Sequence, residues 1–289
     1  MRKVHLLQPA RLAPRTSIGY ACGVTITLVN VSGRLSTDGA RLVSALLKRA
    51  GHEVRNVALT RVEPLLYQQR ELELLDPLLG GAGAFLLSVY SSYAVRAAQV
   101  TGWMHRRHPG VPVFLYGHSG GGILVLAYPV VRHPSIAGVI SSGPGLQSQL
   151  ETQKFKVLLT KILGKLIPSF SFPSGLVVHE ICSDPKVVDA YINDPLVHTT
   201  ITTGWGYAML RCLAIANQNA PSFPFPLLLM HGGEDKLGFP SGSEAYAKLA
   251  PPEKITLKIW QGFKHEIHNE PERAQVYKFM IDWLNNQKS

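Results

Sequence analysis

Cysteine is scarce in this chain: Cys22, Cys182 and Cys212 are the only three in 289 residues, widely spaced and odd in number. A disulfide scaffold and a cysteine-only zinc knuckle are thereby excluded. Charge is sparse as well, at 17% against 46% hydrophobic residues, which excludes a disordered chain. Nowhere does the sequence approach the roughly 18 consecutive apolar residues that a spanning helix needs, so no membrane span is expected. The opening Met1-Arg2-Lys3-Val4-His5-Leu6-Leu7 is basic, but Gln8, Pro9 and Arg11 cut its apolar stretch short of a signal-peptide core. The expected location is the cytoplasm, with peripheral contact at a membrane surface left open. The formal net charge is +10, yet there is no run of five or more Lys/Arg and no nucleic-acid-reading signature, so nucleic acid is not an expected partner.

The basicity belongs to the first part of the chain. Residues 1–117 hold 14 Lys/Arg against 6 Asp/Glu, and the remainder 15 against 13. At this length the chain has room for one large α/β domain or two small ones. From Val24 onward, short β-rich runs alternate with helical stretches, the pattern of a doubly wound, mostly parallel sheet covered on both faces. Strands are expected at 24–31, 54–59, 84–89, 111–116, 136–141, 225–231 and 255–260. Helices are expected at 38–50, 69–79, 93–107, 121–132, 241–250 and 271–286. The eighty or so residues between the strands at 136–141 and 225–231 show no clear strand. An excursion that long inside an α/β domain is usually functional.

Gly117-His118-Ser119-Gly120-Gly121 fits G-x-S-x-G and lies between an apolar strand and an apolar helix. A serine at so sharp a turn needs neighbours without Cβ atoms, because strand and helix approach closely there. The helix start behind it aims free N–H groups at an oxyanion, so the Gly120 N–H is one expected donor. Downstream, Asp235 follows one strand in His231-Gly232-Gly233-Glu234-Asp235, and His265 follows the next in Gln261-Gly262-Phe263-Lys264-His265. The order Ser119, Asp235, His265, each beyond a strand's carboxyl end, suits a nucleophile, an orienting carboxylate and a general base. Glu234 is the nearest rival for the acid and His268 for the base. His118 and His231 are read as supporting or pocket-lining residues.

With these residues in view, the chain from about Gly117 to Asn286 resembles the monoacylglycerol lipases and lysophospholipases of the serine aminopeptidase-like branch of the α/β-hydrolases. GHSGGG, ISSGPGL, NDPLVH, PLLLMHGGEDKL and KIWQGFKHEIHNEPER carry the resemblance. It implies an acyl-ester substrate, monoacylglycerol or a similar ester, no cofactor and no metal, and a cap over the acyl site at about 147–222. His118, Leu146 and Leu166 are expected to line the substrate site. The cap's apolar stripe, with Leu166, Ile167, Phe170 and Phe172, suits either lipid contact or ordinary packing, and Lys154, Lys156, Lys161 and Lys165 would add attraction to anionic membranes. Gly120 departs from the family, which usually has methionine after the serine.

The first 116 residues depart further. Where the family carries a His-Gly pair after its first central strand, this chain reads Asn30-Val31-Ser32-Gly33-Arg34, and Thr60-Arg61-Val62-Glu63 replaces the family's next loop. TLVNVSGRLSTDGARLVSALLKRAGHEV, RELELLD, SVYSSYAVRAAQV and RRHPGVPV instead resemble the flavodoxin-like, cobalamin-binding-type domain of radical SAM proteins. Neither a Cys-x3-Cys-x2-Cys cluster nor an Asp-x-His-x-x-Gly loop accompanies them, so neither radical chemistry nor a corrinoid is expected. The expectation is an α/β-hydrolase with a flavodoxin-like N-terminal half (1–116) joined, as a chimera, to a hydrolase half (117–289). A flavodoxin-like strand order would put Ser91 or Ser92 beside Ser119 as the second oxyanion donor. Loss of one such donor costs about 10²–10³ in kcat, so a low-activity esterase or a scaffold with a vestigial triad is the alternative.

Overall fold

The computed structural model describes residues 26–30, 54–58, 84–88, 94–149, 153–194, 197 and 199–287. They divide into two compact units. The first runs up to Leu115 and takes in Ser135–Ala137 and the chain from Tyr277. The second holds Tyr116–Pro134 and Gly138–Val276.

In the first unit, β1 (Ile26–Asn30) pairs in parallel with both β2 (Val54–Ala58) and β3 (Ala84–Ser88). Ile26 stands opposite Val54 on one side and Ala84 on the other. Helix α1 (Ala94–Arg107) buries Val100, Trp103 and Met104, which recur at helical spacing. It ends on Arg106 and Arg107, cations suited to the negative end of the helix dipole. Strand β4 (Val113–His118) begins in this unit, where Phe114 meets Trp283 edge-on at 6.0 Å. The helices expected at 38–50 and 69–79, the Ser32-Gly33 turn, and Ser91 and Ser92 lie outside the described residues.

In the second unit β4 gives way to α2 (Gly120–Arg132), whose residues Gly121–Pro129 are all buried. Its end is set by His133, in the left-handed region at φ 46°, whose N–H donates to the Pro129 carbonyl at 2.9 Å. Strand β5 (Gly138–Ser142) follows, buried along its whole length.

The excursion then contains α3 (Lys154–Leu166), β6 (Ser171–Pro173), α4 (Pro185–Asn193), β7 (Thr200–Thr202) and α5 (Thr203–Gln218). Asp184 caps α4 by accepting the Lys186 N–H at 2.9 Å, with Pro185 in the first turn, where a missing N–H costs nothing. Thr202 caps α5 through the Trp205 N–H at 3.2 Å. Helices α3 and α5 approach at Gly164, where a Cβ would lie 2.4 Å from Tyr207 Cβ and 2.7 Å from the Thr203 carbonyl oxygen. Contrary to the strandless reading of this stretch, β6 and β7 pair antiparallel, Phe172 opposite Ile201. Three residues are too few to display a period of two, which hides such a pair from pattern reading.

Strand β8 (Leu227–Gly232), helix α6 (Pro240–Leu249), strand β9 (Ile255–Trp260) and helix α7 (Ala274–Asn286) complete the chain. The strand order here is β4-β5-β8-β9, with β5–β8 and β8–β9 parallel. Leu227, Leu228, Leu229 and Met230 are fully buried, as a parallel strand covered on both faces requires. No helix among the described residues is long and apolar enough to cross a membrane.

Candidate active site

Strand β4 delivers Ser119 at the turn into α2. The turn is tight enough that a Cβ on Gly117 would lie 2.1 Å from the Gly121 carbonyl oxygen, so only glycine fits. Ser119 itself sits at φ 56°, ψ −121°, a sparsely populated region whose cost is about 1–3 kcal/mol. Its surroundings hold it there: its N–H donates to the Ser142 carbonyl at 2.8 Å, and its own carbonyl accepts the Ile123 N–H at 3.2 Å. Trp205 and Met209 of α5 cover the next position. A Cβ on Gly120 would stand 3.5 Å from Trp205 Cζ2 and 3.6 Å from Met209 Sδ, ordinary contact distances.

Asp235 lies in the loop after β8, fully buried at its side chain. Oδ1 accepts the N–H groups of Leu237 at 2.8 Å and Gly238 at 3.0 Å. Oδ2 accepts from two imidazoles, His265 Nδ1 at 2.7 Å and His231 Nε2 at 3.1 Å. His231 Nε2 also lies 2.9 Å from the Gly238 carbonyl, which can only accept, so this nitrogen carries the proton and Nδ1 accepts from the Ser243 hydroxyl at 2.7 Å. Burial pushes the Asp235 pKa up. The hydrogen bonds from His231 and His265 and the Gly238 N–H outweigh burial and hold it well below the usual carboxylate range.

The loops carrying Asp235 and His265 touch backbone to backbone. A Cβ on Gly232 would lie 2.0 Å from the Lys264 carbonyl oxygen, and the Gly233 and Glu234 N–H groups donate to the carbonyls of Trp260 and Phe263, each at 2.8 Å. With Nδ1–H given to Asp235, His265 keeps its Nε2 lone pair for an incoming proton. Among the described residues, Ser119 Oγ and His265 are not hydrogen-bonded to each other. The His118 ring centroid is 4.8 Å from that of His265, and the Ser142 carbonyl holds the Ser119 N–H.

The rivals occupy different surroundings. Glu234 is exposed, while Asp235 beside it is buried. His268 is buried between the Tyr116 hydroxyl, 3.3 Å from Nε2, and Ser142 Oγ, 3.4 Å from Nδ1. Burial pushes its pKa down to about 3. Ser142 Oγ also lies 3.3 Å from His118 Nδ1. Burial, then the nearby His265 and His268 rings, hold His118 well below the ordinary histidine value.

Of the expected substrate-lining residues, His118 packs on the His265 ring. Leu146 is buried and lines a cavity of about 230 Å³ with Gln147, Asn217, Tyr246 and Leu249. Leu166 is 73% exposed at the end of α3. Sequence reading missed Tyr116, Ser142, Ser243, Trp205 and Met209. Each is an ordinary residue type whose partner is distant in sequence, so no local pattern marks it.

These features define an α/β-hydrolase fold with a mostly parallel sheet. A family model described as serine aminopeptidase, S33, matches residues 86–272, and the chain belongs to that family. It is 32% identical over 178 residues to a monoacylglycerol lipase of Mycolicibacterium smegmatis, a match covering 61% of this chain and 63% of that protein. It is 32% identical over 183 residues to a phospholipase of Bacillus subtilis, covering 62% and 71% of the two chains. A match to a larger abhydrolase domain-containing protein of Dictyostelium discoideum, 33% identical over 181 residues, spans 61% of this chain but only 19% of that protein. The chain thus spans less than two thirds of two of these curated relatives. Among solved structures, the monoacylglycerol lipase of Paleococcus ferrophilus superposes with a TM-score of 0.68 at 27% identity, covering 92% of this chain and 96% of that one.

Proposed function

We propose that the chain is a serine esterase that cleaves monoacylglycerol or a similar acyl ester through Ser119, His265 and Asp235. The observation that carries this reading is the 2.7 Å bond from His265 Nδ1 to a buried, ionised Asp235, which leaves Nε2 as the ring nitrogen to act as base; Ser119, held in strained backbone geometry at the end of β4, is the nucleophile it would serve. His265 Nε2 takes the Ser119 proton as the oxygen attacks the ester carbonyl carbon. Asp235 stabilises the imidazolium, and the Gly120 N–H receives the developing oxyanion. Collapse passes the proton from Nε2 to the leaving alkoxide, and the alcohol departs with the acyl group bound to Ser119. Water, deprotonated by His265, then releases the acid.

Substrates of this class are held in lipid surfaces, and α3 supports peripheral contact with one. Phe155 (76% exposed), Leu158, Leu159, Ile162 and Leu166 form an exposed apolar row flanked by lysines. The Asn30-Val31-Ser32-Gly33 sequence, in place of a His-Gly pair, favours a second reading in which the site acylates and then stalls. Turnover of a p-nitrophenyl ester tests both. The proposal expects steady turnover that falls by about 10⁴ or more in Ser119→Ala. A single burst without turnover supports the stalled site, and turnover unchanged in Ser119→Ala contradicts both.

A further inference from the structure

Glu270 is a buried carboxylate that the proposed chemistry does not use. It is 1% exposed, and among the described residues no cation pairs with its carboxylate. The carboxylate's partners are all neutral donors, while the Arg273 guanidinium donates to the Glu270 main-chain carbonyl at 3.2 Å. Oε1 accepts the Lys264 N–H at 2.9 Å, the Ser183 N–H at 3.2 Å and the Ser183 hydroxyl at 3.2 Å, while Oε2 lies 3.3 Å from the same Ser183 nitrogen. Lys264 immediately precedes His265 in the chain, and Ser183 belongs to the excursion between β5 and β8.

Two further bonds bracket the same histidine. The Glu266 N–H donates to the Ile181 carbonyl at 2.7 Å, and Lys264 Nζ donates to the His179 carbonyl at 2.6 Å. The segment 179–183 therefore grips the residues on both sides of His265. Ile181 and Cys182 are themselves buried in a small core against which Leu237 packs, and the Leu237 N–H holds Asp235 Oδ1. On its other side the Lys264 carbonyl lies against Gly232, so the residue preceding His265 is held at both its N–H and its carbonyl.

We propose that Glu270 is a positioning residue for His265, and that through Ser183 it ties the placement of the base to the 179–183 segment of the excursion. The inference rests on the esterase reading above. A buried carboxylate is a costly way to fill space, and its value here lies in one oxygen that accepts from two separate loops. Displacing a catalytic group by about 1 Å can cost about 10² in rate, and the Lys264 peptide is the lever that would displace His265.

The test compares Glu270→Ala, Glu270→Gln and Ser183→Ala in the full chain, measuring kcat and KM for a p-nitrophenyl ester per folded molecule, with the folded fraction taken from thermal melts. In Glu270→Ala, kcat should fall about 100-fold while KM stays within about 3-fold. Glu270→Gln keeps an acceptor oxygen in place and should recover most of that loss. Ser183→Ala, which removes only the hydroxyl bond, should lose less than Glu270→Ala. If Glu270→Ala does not fold, the other two variants decide the matter, with kcat in Ser183→Ala below that of Glu270→Gln. Wild-type kcat in a folded Glu270→Ala, a loss confined to KM, or full activity in Ser183→Ala without folded Glu270→Ala overturns the positioning role alone. Absence of turnover in the wild-type chain overturns the esterase reading and this inference together.

Discussion

The loops at the ends of β8 and β9 and the helix α3 are built in opposite ways. In the loops the backbones are so close that Gly232 cannot carry a side chain, and both Asp235 oxygens accept two hydrogen bonds each. In α3 only Gly164 is buried, and the helix leans on α5 there and at Thr160, which closes on Gly206, while Phe155 and Leu166 are exposed. A group that moves a proton must hold its geometry to a fraction of an ångström, whereas a surface that meets lipid needs apolar area and tolerates loose placement. On the esterase reading proposed above, the contrast separates where the chemistry would be fixed from where substrate would be collected.

Gly232→Ala should break the contrast most severely. Its Cβ meets backbone oxygens that cannot rotate away, so urea unfolding should show a loss of about 3 kcal/mol, with esterase activity falling by about 10². Wild-type stability would show that the loops have room to part.

A smaller effect is expected at His268, where burial pushes the pKa down to about 3 from an unfolded value near 6.5. The unfolded chain then binds a proton that the folded chain refuses. The stabilisation is complete above pH 6.5 and is lost as pH falls from there towards 3, at about 1.4 kcal/mol per pH unit for one proton. His268→Gln, which can still bond Tyr116 and Ser142, should reduce the slope of stability against pH in that window by about one proton. An unchanged slope would mean that His268 is not buried neutral. Asp235 contributes with the same sign, because its folded pKa is depressed. Its share is present above the unfolded carboxylate value, near about 4, and is lost as pH falls through the folded one.

The mildest change is expected on α3. Phe155→Glu with Leu166→Glu should leave turnover of a soluble p-nitrophenyl ester within about 2-fold while weakening sedimentation with anionic vesicles about 10-fold or more, since both side chains are exposed. Equal vesicle binding by this variant and the wild type would remove α3 as the lipid-facing element.

Much of this arrangement can be read from residue order. Each strand expected in the second unit is present: 255–260 is Ile255–Trp260 without displacement, while 136–141 is Gly138–Ser142 and 225–231 is Leu227–Gly232, with ends displaced by a residue or two. Apolar runs bounded by Gly and Pro announce buried parallel strands, and the spacing from Ser119 to Asp235 to His265 follows from strand ends. The β6–β7 pair escapes because its strands are three residues long. Glu270 escapes for a different reason. Its partners lie 6 and 87 residues away, and a glutamate in Asn269-Glu270-Pro271 carries no local sign that it is buried. The two imidazoles that share one Asp235 oxygen are likewise a product of loop packing, although both histidines stand in the motifs that drew attention first.

Ser119 as a nucleophile activated by His265 is open to chemical test. Intact-mass measurement after exposure to a fluorophosphonate, followed by peptide mapping, tests it most directly. A single adduct on Ser119 is expected, formed in the wild type and slowed by about 10³ or more in His265→Ala. An unlabelled wild type, an adduct on another residue, or labelling at the same rate without His265 would contradict it.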